Sequence, residues 1–112
     1  MYEYHARLLQ VVDGDTVDLD IDLGCFVRIT RRCRLRGINA PEMKGQDSEE
    51  GKVSRLELEK ILNYSCDSSY LLVRTHLDRG DKYGRLLVDI LCGESTVNEI
   101  MVAKGCAVRY MQ

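Results

Sequence analysis

A chain of 112 residues, 45% apolar and 30% charged, is long enough to bury a core without a metal or disulfide staple and too apolar for a disordered tail, so one domain over 1–112 is expected. The formal net charge of −2 gives no global attraction to phosphate backbones, and any nucleic-acid role must rest on local charge. No basic stretch leads into an apolar leader and no run of about 20 apolar residues occurs, which predicts a soluble, cytoplasmic protein with no membrane partner. Cys25, Cys33, Cys66, Cys92 and Cys106 are odd in number and lack the spacing that zinc wants; they are expected as buried thiols in a reducing compartment.

In chain order, residues 4–12 (YHARLLQVV) and 16–23 (TVDLDIDL) read as strands. The second alternates Val17, Leu19, Ile21 and Leu23 against Asp18, Asp20 and Asp22, which predicts one core face and one solvent face. Gly24 turns the chain into a third strand over 26–36 (FVRITRRCRLR), completing a meander. There Ile29, Cys33 and Leu35 share one face, and Arg28, Arg32, Arg34 and Arg36 the other. Beyond Pro41, the only proline, Asp47 and Glu50 make a capping-box-like start to a helix over 48–64. Val53, Leu58, Ile61 and Leu62 are its expected apolar side, and Gly51 weakens its first turn. Residues 70–77 and 85–92 predict two more strands around the turn-rich DRGDKYG. Thr96 with Glu99 repeats the capping box for a short helix that Gly105 closes. The order β-β-β-α-β-β-α predicts a β-barrel with helices (α+β), the five-stranded, partly open Greek-key barrel of the OB-fold, which often binds nucleic acid.

Three segments carry candidate chemistry. VDGDT (12–16) sets Asp13 and Asp15 two apart with Gly14 between them, a bend that can hold a hard cation or simply a hairpin turn with solvated acids. An EF-hand is excluded because its sixth position, here Asp18, must be glycine. RLRGINAPE (34–42) offers the Arg34 guanidinium, a planar fork suited to phosphate, and then Pro41, which pushes Ala40 out of the helical region just before Glu42; the alternative is a strand ending in a proline turn. DRGDKYGR (78–85) interleaves Lys82 and Arg85 with Tyr83, a pattern suited to phosphate contact plus stacking, or to a polar hairpin loop.

Taken together, DGDT at 13–16, R-L-x-G-I-N-A-P-E at 34–42, D-K-Y-G-R at 81–85 and V-N-E at 97–99 resemble the staphylococcal nuclease (thermonuclease) family, in family order over almost the whole chain. The resemblance implies a calcium-dependent phosphodiesterase, a hydrolase of DNA and RNA with low sequence specificity that prefers single strands and leaves 5′-hydroxyl and 3′-phosphate ends. It implies calcium (Ca2+) held by Asp15, Asn39 and the Ala40 carbonyl, with Asp13 behind them. Arg34 and Arg85 fall on its catalytic arginines and Glu42 on its catalytic glutamate. Lys82 and Tyr83 fall on its phosphate-contacting residues, and Tyr110 lies near a base-contacting tyrosine.

Departures accompany these agreements. Asn39 stands where the family has a second acidic ligand, so one negative charge is lost although an amide oxygen still suits calcium. The loop before the fifth strand is shorter, and the chain stops before the family's third, C-terminal helix, which invites a homodimer or other contact around residues 100–111. The arginine face of the third strand predicts a positive stripe, partly neutralised if it pairs across strands with Asp18, Asp20 and Asp22. The competing function is a catalytically inactive OB-type module that binds nucleic acid or protein.

Overall fold

The computed structural model describes residues 2–41, 48–65, 71–76 and 85–110. Strands β1 (Tyr2–Asp13), β2 (Thr16–Gly24) and β3 (Val27–Leu35) form the antiparallel meander, and β4 (Ile38–Asn39) is a two-residue strand just beyond it. Register shifts at Leu8/Gln10 and Val11/Asp13 bulge β1. Such bulges bend a strand and let it serve two edges of a curved sheet; here β1 pairs with β2 from His5 to Asp13 and with β5 (Leu71–His76) over Tyr2–Ala6. β5 pairs with β6 (Leu86–Cys92), and β6 closes the ring by running parallel to β3, with Cys33 opposite Leu86 and Arg34 opposite Leu87. The result is the expected barrel of five principal strands, closed by the β3–β6 pairing.

Period-two alternation on β2 fills its interior as the sequence demands: Val17, Leu19 and Ile21 are at most 1% exposed. Leu23 departs from the pattern at 41% exposure, because the β2–β3 hairpin runs on past the barrel wall, where there is no core left to enter. Its two-residue turn is Cys25–Phe26, with φ of 54° and 64°. Left-handed residues match the twist of a two-residue hairpin, but glycine and asparagine carry them at lower cost than a bulky side chain. Phe26 is fully exposed at this tip.

Helix α1 (Ser48–Lys60), continued by a π-helical turn over Ile61–Ser65, lies between the third strand and β5 in the chain. Glu49 and Glu50 in its first turn and Lys60 in its last complement the helix dipole. Leu58, Ile61 and Leu62 are buried as expected, whereas Val53 is 61% exposed. The buried stripe instead runs Gly51, Ser54, Leu58, Ile61, Leu62, small residues occupying the end of the helix that approaches the sheet most closely. The Asp47 half of the first capping box lies outside the described residues.

β7 (Ser95–Thr96) leads into α2 (Val97–Ala103), and β8 (Val108–Arg109) pairs with β4. Thr96 caps α2 by accepting a hydrogen bond from the Glu99 N–H at 3.2 Å. The expected reciprocal bond is replaced: the Glu99 carboxylate takes both guanidinium nitrogens of Arg109, at 3.0 and 2.8 Å. Gly105 (φ +74°) ends the helix, its N–H bonding Val102 O and the Cys106 N–H bonding Met101 O, both at 3.0 Å, the paired bonds of a Schellman close.

The cysteines differ from the expected set of buried thiols. Cys33 is fully buried and Cys106 half-buried, but Cys25 is exposed and Cys92 is disulfide-bonded; Cys66 lies outside the described residues. Burial pushes the Cys33 thiol up to about 12. Among the described residues no helix is long and apolar enough to cross a membrane.

Candidate functional site

The site forms where the β1–β2 turn, the exit of β3 and the start of α1 meet. Gly14 is needed there for close approach: a Cβ on it would lie 2.6 Å from Ser54 Cβ and 2.9 Å from Ala40 Cβ. Ser54 in turn donates its hydroxyl to Cys106 O at 2.7 Å. One small residue on α1 therefore ties the acidic turn, the β3 exit and the segment after α2 into a single seam. Nothing in the local pattern singled out Ser54; a small residue at a buried helical spacing was the only available signal.

Asp15 is 7% exposed. Its Oδ1 accepts the Thr16 hydroxyl at 2.9 Å and its Oδ2 accepts the Ala40 N–H at 3.0 Å, while its carbonyl accepts the Leu35 N–H at 2.7 Å. Arg34, 8% exposed, lies beside it with NH2 3.7 Å from Asp15 Oδ2. The same NH2 donates to Ile38 O at 3.1 Å and to Asn39 Oδ1 at 3.2 Å. The guanidinium lies over the Tyr110 ring, 5.3 Å from its centroid, and Tyr110 is itself fixed by its N–H to Gly37 O at 2.8 Å. Arg34 NH1 is buried and has no hydrogen-bond partner among the described residues. A buried charged donor with an unused N–H is costly in a finished core and calls for an acceptor such as an anionic oxygen.

Of the residues expected at the site, Asp15, Arg34, Asn39, Ala40 and Tyr110 come together. Arg85 immediately precedes Leu86, and Leu87 is the strand partner of Arg34, so Arg85 stands just before the strand that runs parallel beside Arg34. Asp13 is half-buried, and its charge acts on Arg32. Glu42, Lys82 and Tyr83 lie outside the described residues. The arginine stripe is largely spent on cross-strand pairs. Arg28 Nε holds both oxygens of Asp20 at 3.1 Å and Arg32 Nε holds Asp18 at 2.9 Å, and the hydrogen bond from Arg32 keeps the Asp18 carboxyl below the usual range. The second acidic strand face therefore balances the basic one, leaving Arg34 as a buried cation with a different role.

Asn98 was quoted only as part of a motif, and the structure gives it a task. At 3% exposure it donates to Arg36 O at 2.7 Å and Val88 O at 3.1 Å and accepts from the Ile90 N–H at 3.3 Å. It fastens α2 to the β3–β6 closure, two residues from Arg34.

Among the described residues no three acid, histidine or cysteine side chains converge on a metal position. The donors present are nonetheless all hard oxygens, the type calcium prefers. Two of them, Asp15 Oδ2 and Asn39 Oδ1, already converge on a positively charged group, Arg34 NH2. These oxygens are of the type a hard cation takes, and they carry a single formal negative charge between them.

The family model described as staphylococcal nuclease homologue matches residues 32–112. The chain belongs to the staphylococcal nuclease homologue family. Its relatives include the staphylococcal-like nuclease CAN1 of Arabidopsis thaliana, 39% identical over 80 residues, which is 71% of this chain and 22% of that protein. The probable staphylococcal-like nuclease CAN1 of Oryza sativa subsp. japonica is 34% identical over 82 residues, 70% of this chain and 21% of that protein. An uncharacterized 38.1 kDa protein of Capnoides sempervirens is 35% identical over 79 residues, 70% and 21% respectively. The chain thus spans about a fifth of the length of the curated relatives it matches.

Proposed function

We propose that the domain hydrolyses phosphodiester bonds in DNA and RNA, single strands preferred, with calcium and little sequence specificity, leaving 5′-hydroxyl and 3′-phosphate ends. The observation that carries this reading is Arg34: a buried guanidinium beside Asp15 whose NH1 has no partner among the described residues, in a nuclease family. Asp15, Asn39 and the Ala40 carbonyl would hold the ion, which when bound supplies positive charge for the phosphate. Arg34, steadied by the Tyr110 face and Ile38 O, donates to a phosphoryl oxygen and is placed to stabilise the charge that builds there during attack. Arg85 enters from the next strand as a second donor. Glu42, just past Pro41, takes the proton of the attacking water, and Lys82 and Tyr83 hold the neighbouring phosphate and sugar.

The test is cleavage of single-stranded DNA by the purified protein with and without chelator, with Glu42→Ala as control. Calcium-dependent cleavage that falls at least about a hundredfold in the variant supports the reading, on the scale seen when other enzymes lose a catalytic group. Equal rates in wild type and variant would refute it. The single formal charge among the metal donors favours a second reading, a non-cleaving module that binds nucleic acid or protein. Binding of an oligonucleotide without turnover would select it.

A further inference from the structure

We propose that the tip of the β2–β3 hairpin, Leu23 to Val27, dips into the apolar layer of a lipid bilayer and holds the domain at a membrane surface, with the candidate site left facing water. Nothing in this contact depends on the nuclease reading.

The tip reads LGCFV, five residues without a charged, hydroxyl or amide side chain. Phe26 is fully exposed, Val27 is 50% and Leu23 41% exposed, and Cys25 is exposed beside them. Single exposed apolar residues are ordinary on a protein surface, whereas a contiguous cluster marks a contact site. The stem of the hairpin holds this cluster away from the core. Arg28 Nε binds both oxygens of Asp20 at 3.1 Å, Arg28 NH1 lies 3.6 Å from Asp22 Oδ2, and Asp22 Oδ1 accepts the Gly24 N–H at 2.8 Å. These contacts tie the two strands together up to the turn, so the apolar tip is presented on a braced arm.

The same pairs decide what the tip meets. Arg28 is matched by Asp20 and Asp22, and Arg32 by Asp18. Little positive charge is left on this face for a phosphate backbone, and the driving force that remains is removal of apolar surface from water. Four exposed side chains at a convex end are far fewer than the about 20–30 residues each partner brings to a stable protein interface. A bilayer sets no such minimum: it is fluid, closes around a protrusion, and binds more strongly with each apolar group that enters it. A collar of paired charges suits a zwitterionic headgroup layer, in which neither sign is in excess.

The expectation of no membrane partner came from the lack of a leader or spanning run, and an interfacial tip needs neither. Phe26 and Arg34 stand eight residues apart in the chain, up to roughly 26 Å at about 3.3 Å per extended residue. A seated tip therefore leaves Asp15, Arg34 and Tyr110 on the water side of the headgroups.

The chain has no tryptophan, so Phe26→Trp places a single fluorescent reporter at the tip. Titrated with phosphatidylcholine vesicles, in reductant to keep Cys25 a thiol, its emission is expected to move to the blue and to be quenched by lipid brominated on the acyl chains. Wild type is expected to sediment with the same vesicles at millimolar lipid, at least as well in high salt as in low. Phe26→Asn adopts the φ of 64° more readily than phenylalanine and so keeps the turn. It is expected to lower the partition coefficient about tenfold or more, through the loss of one buried aromatic side chain. Wild type that stays in solution would overturn the proposal and leave a pocket on a partner protein as the occupant of the tip. Phe26→Asn sedimenting as wild type does, or a Phe26→Trp protein that binds without acyl-chain quenching, would overturn it as well. Binding confined to anionic vesicles and abolished by salt would do the same, by placing the contact at a charged face.

Discussion

Gly14→Ala tests the seam that positions the site. The added methyl would sit 2.6 Å from Ser54 Cβ and 2.9 Å from Ala40 Cβ, whereas carbon atoms rest at about 3.5–4.0 Å. Both obstructing atoms are bonded directly to backbone, so no side-chain rotation relieves them, and α1 or the β3 exit must move by roughly an ångström, the difference between the clash and that contact distance. Overpacking of this kind costs about 1–3 kcal/mol. The entropic gain of replacing glycine offsets about 0.4–1 kcal/mol, which leaves a net loss near 1–2 kcal/mol. Function should suffer more than stability, because Ala40 holds Asp15 through its N–H at 3.0 Å and an ångström of misplacement at a reacting site can cost about a hundredfold in rate. Urea unfolding gives the stability difference from the midpoint at unchanged slope. Cleavage of single-stranded DNA, measured where both proteins remain folded, gives the second. A variant within about 0.5 kcal/mol of wild type, the range of an ordinary surface substitution, would show that the seam is not closely packed and refute the reasoning.

Replacing the hairpin turn by Cys25→Asn with Phe26→Gly puts residues suited to φ of 54° and 64° where bulky ones now stand, and should raise stability by about 1–2 kcal/mol, seen as a melting temperature several degrees higher; no rise would mean the turn relaxes to another geometry. Asn39→Asp restores a carboxylate to the seat and should tighten calcium about tenfold by calorimetry through the added charge, whereas no gain would remove Asn39 from the ligand set. Burial holds Cys33 as a thiol in the folded protein, pushed up to about 12, while the unfolded chain ionises near pH 8.5. The stability contributed is therefore complete below about pH 8.5 and lost as pH rises from there toward 12. A pH series of melts should show this decline for wild type and a flatter curve for Cys33→Val; parallel curves would assign the alkaline loss to other groups.

Much of this protein was legible where the physics is local. Val17, Leu19 and Ile21 alternate with aspartates, and that period alone specifies a strand with one buried face. Thr96 and Gly105 bracket α2 because a hydroxyl can satisfy an orphan N–H and glycine can turn left-handed. Asp15 and Arg34 could be picked out because a carboxylate at a glycine bend and a guanidinium at a strand end are recognisable chemistry, and Asn39 through the family resemblance of RLRGINAPE.

What the sequence could not supply is which distant residue each of these meets. Leu23 continues the alternation of β2 yet is exposed, and Val53 yields its buried place to Ser54, because a barrel wall ends at a point set by curvature and closure and a helix turns its smaller side toward the nearest backbone. Tyr110 lies under Arg34 across 76 positions of chain, and β4 meets β8 over only two residues, too short for any periodic signal. The sequence by itself determined the strands, the helix ends and the reactive side chains, since those depend on neighbours within a few residues. Only the tertiary structure decided that Arg34 lies against Asp15, Asn39 and the Tyr110 ring, because that depends on the register that sets Thr16 opposite Arg34 and on the return of the last strand to β4, which no local preference relates.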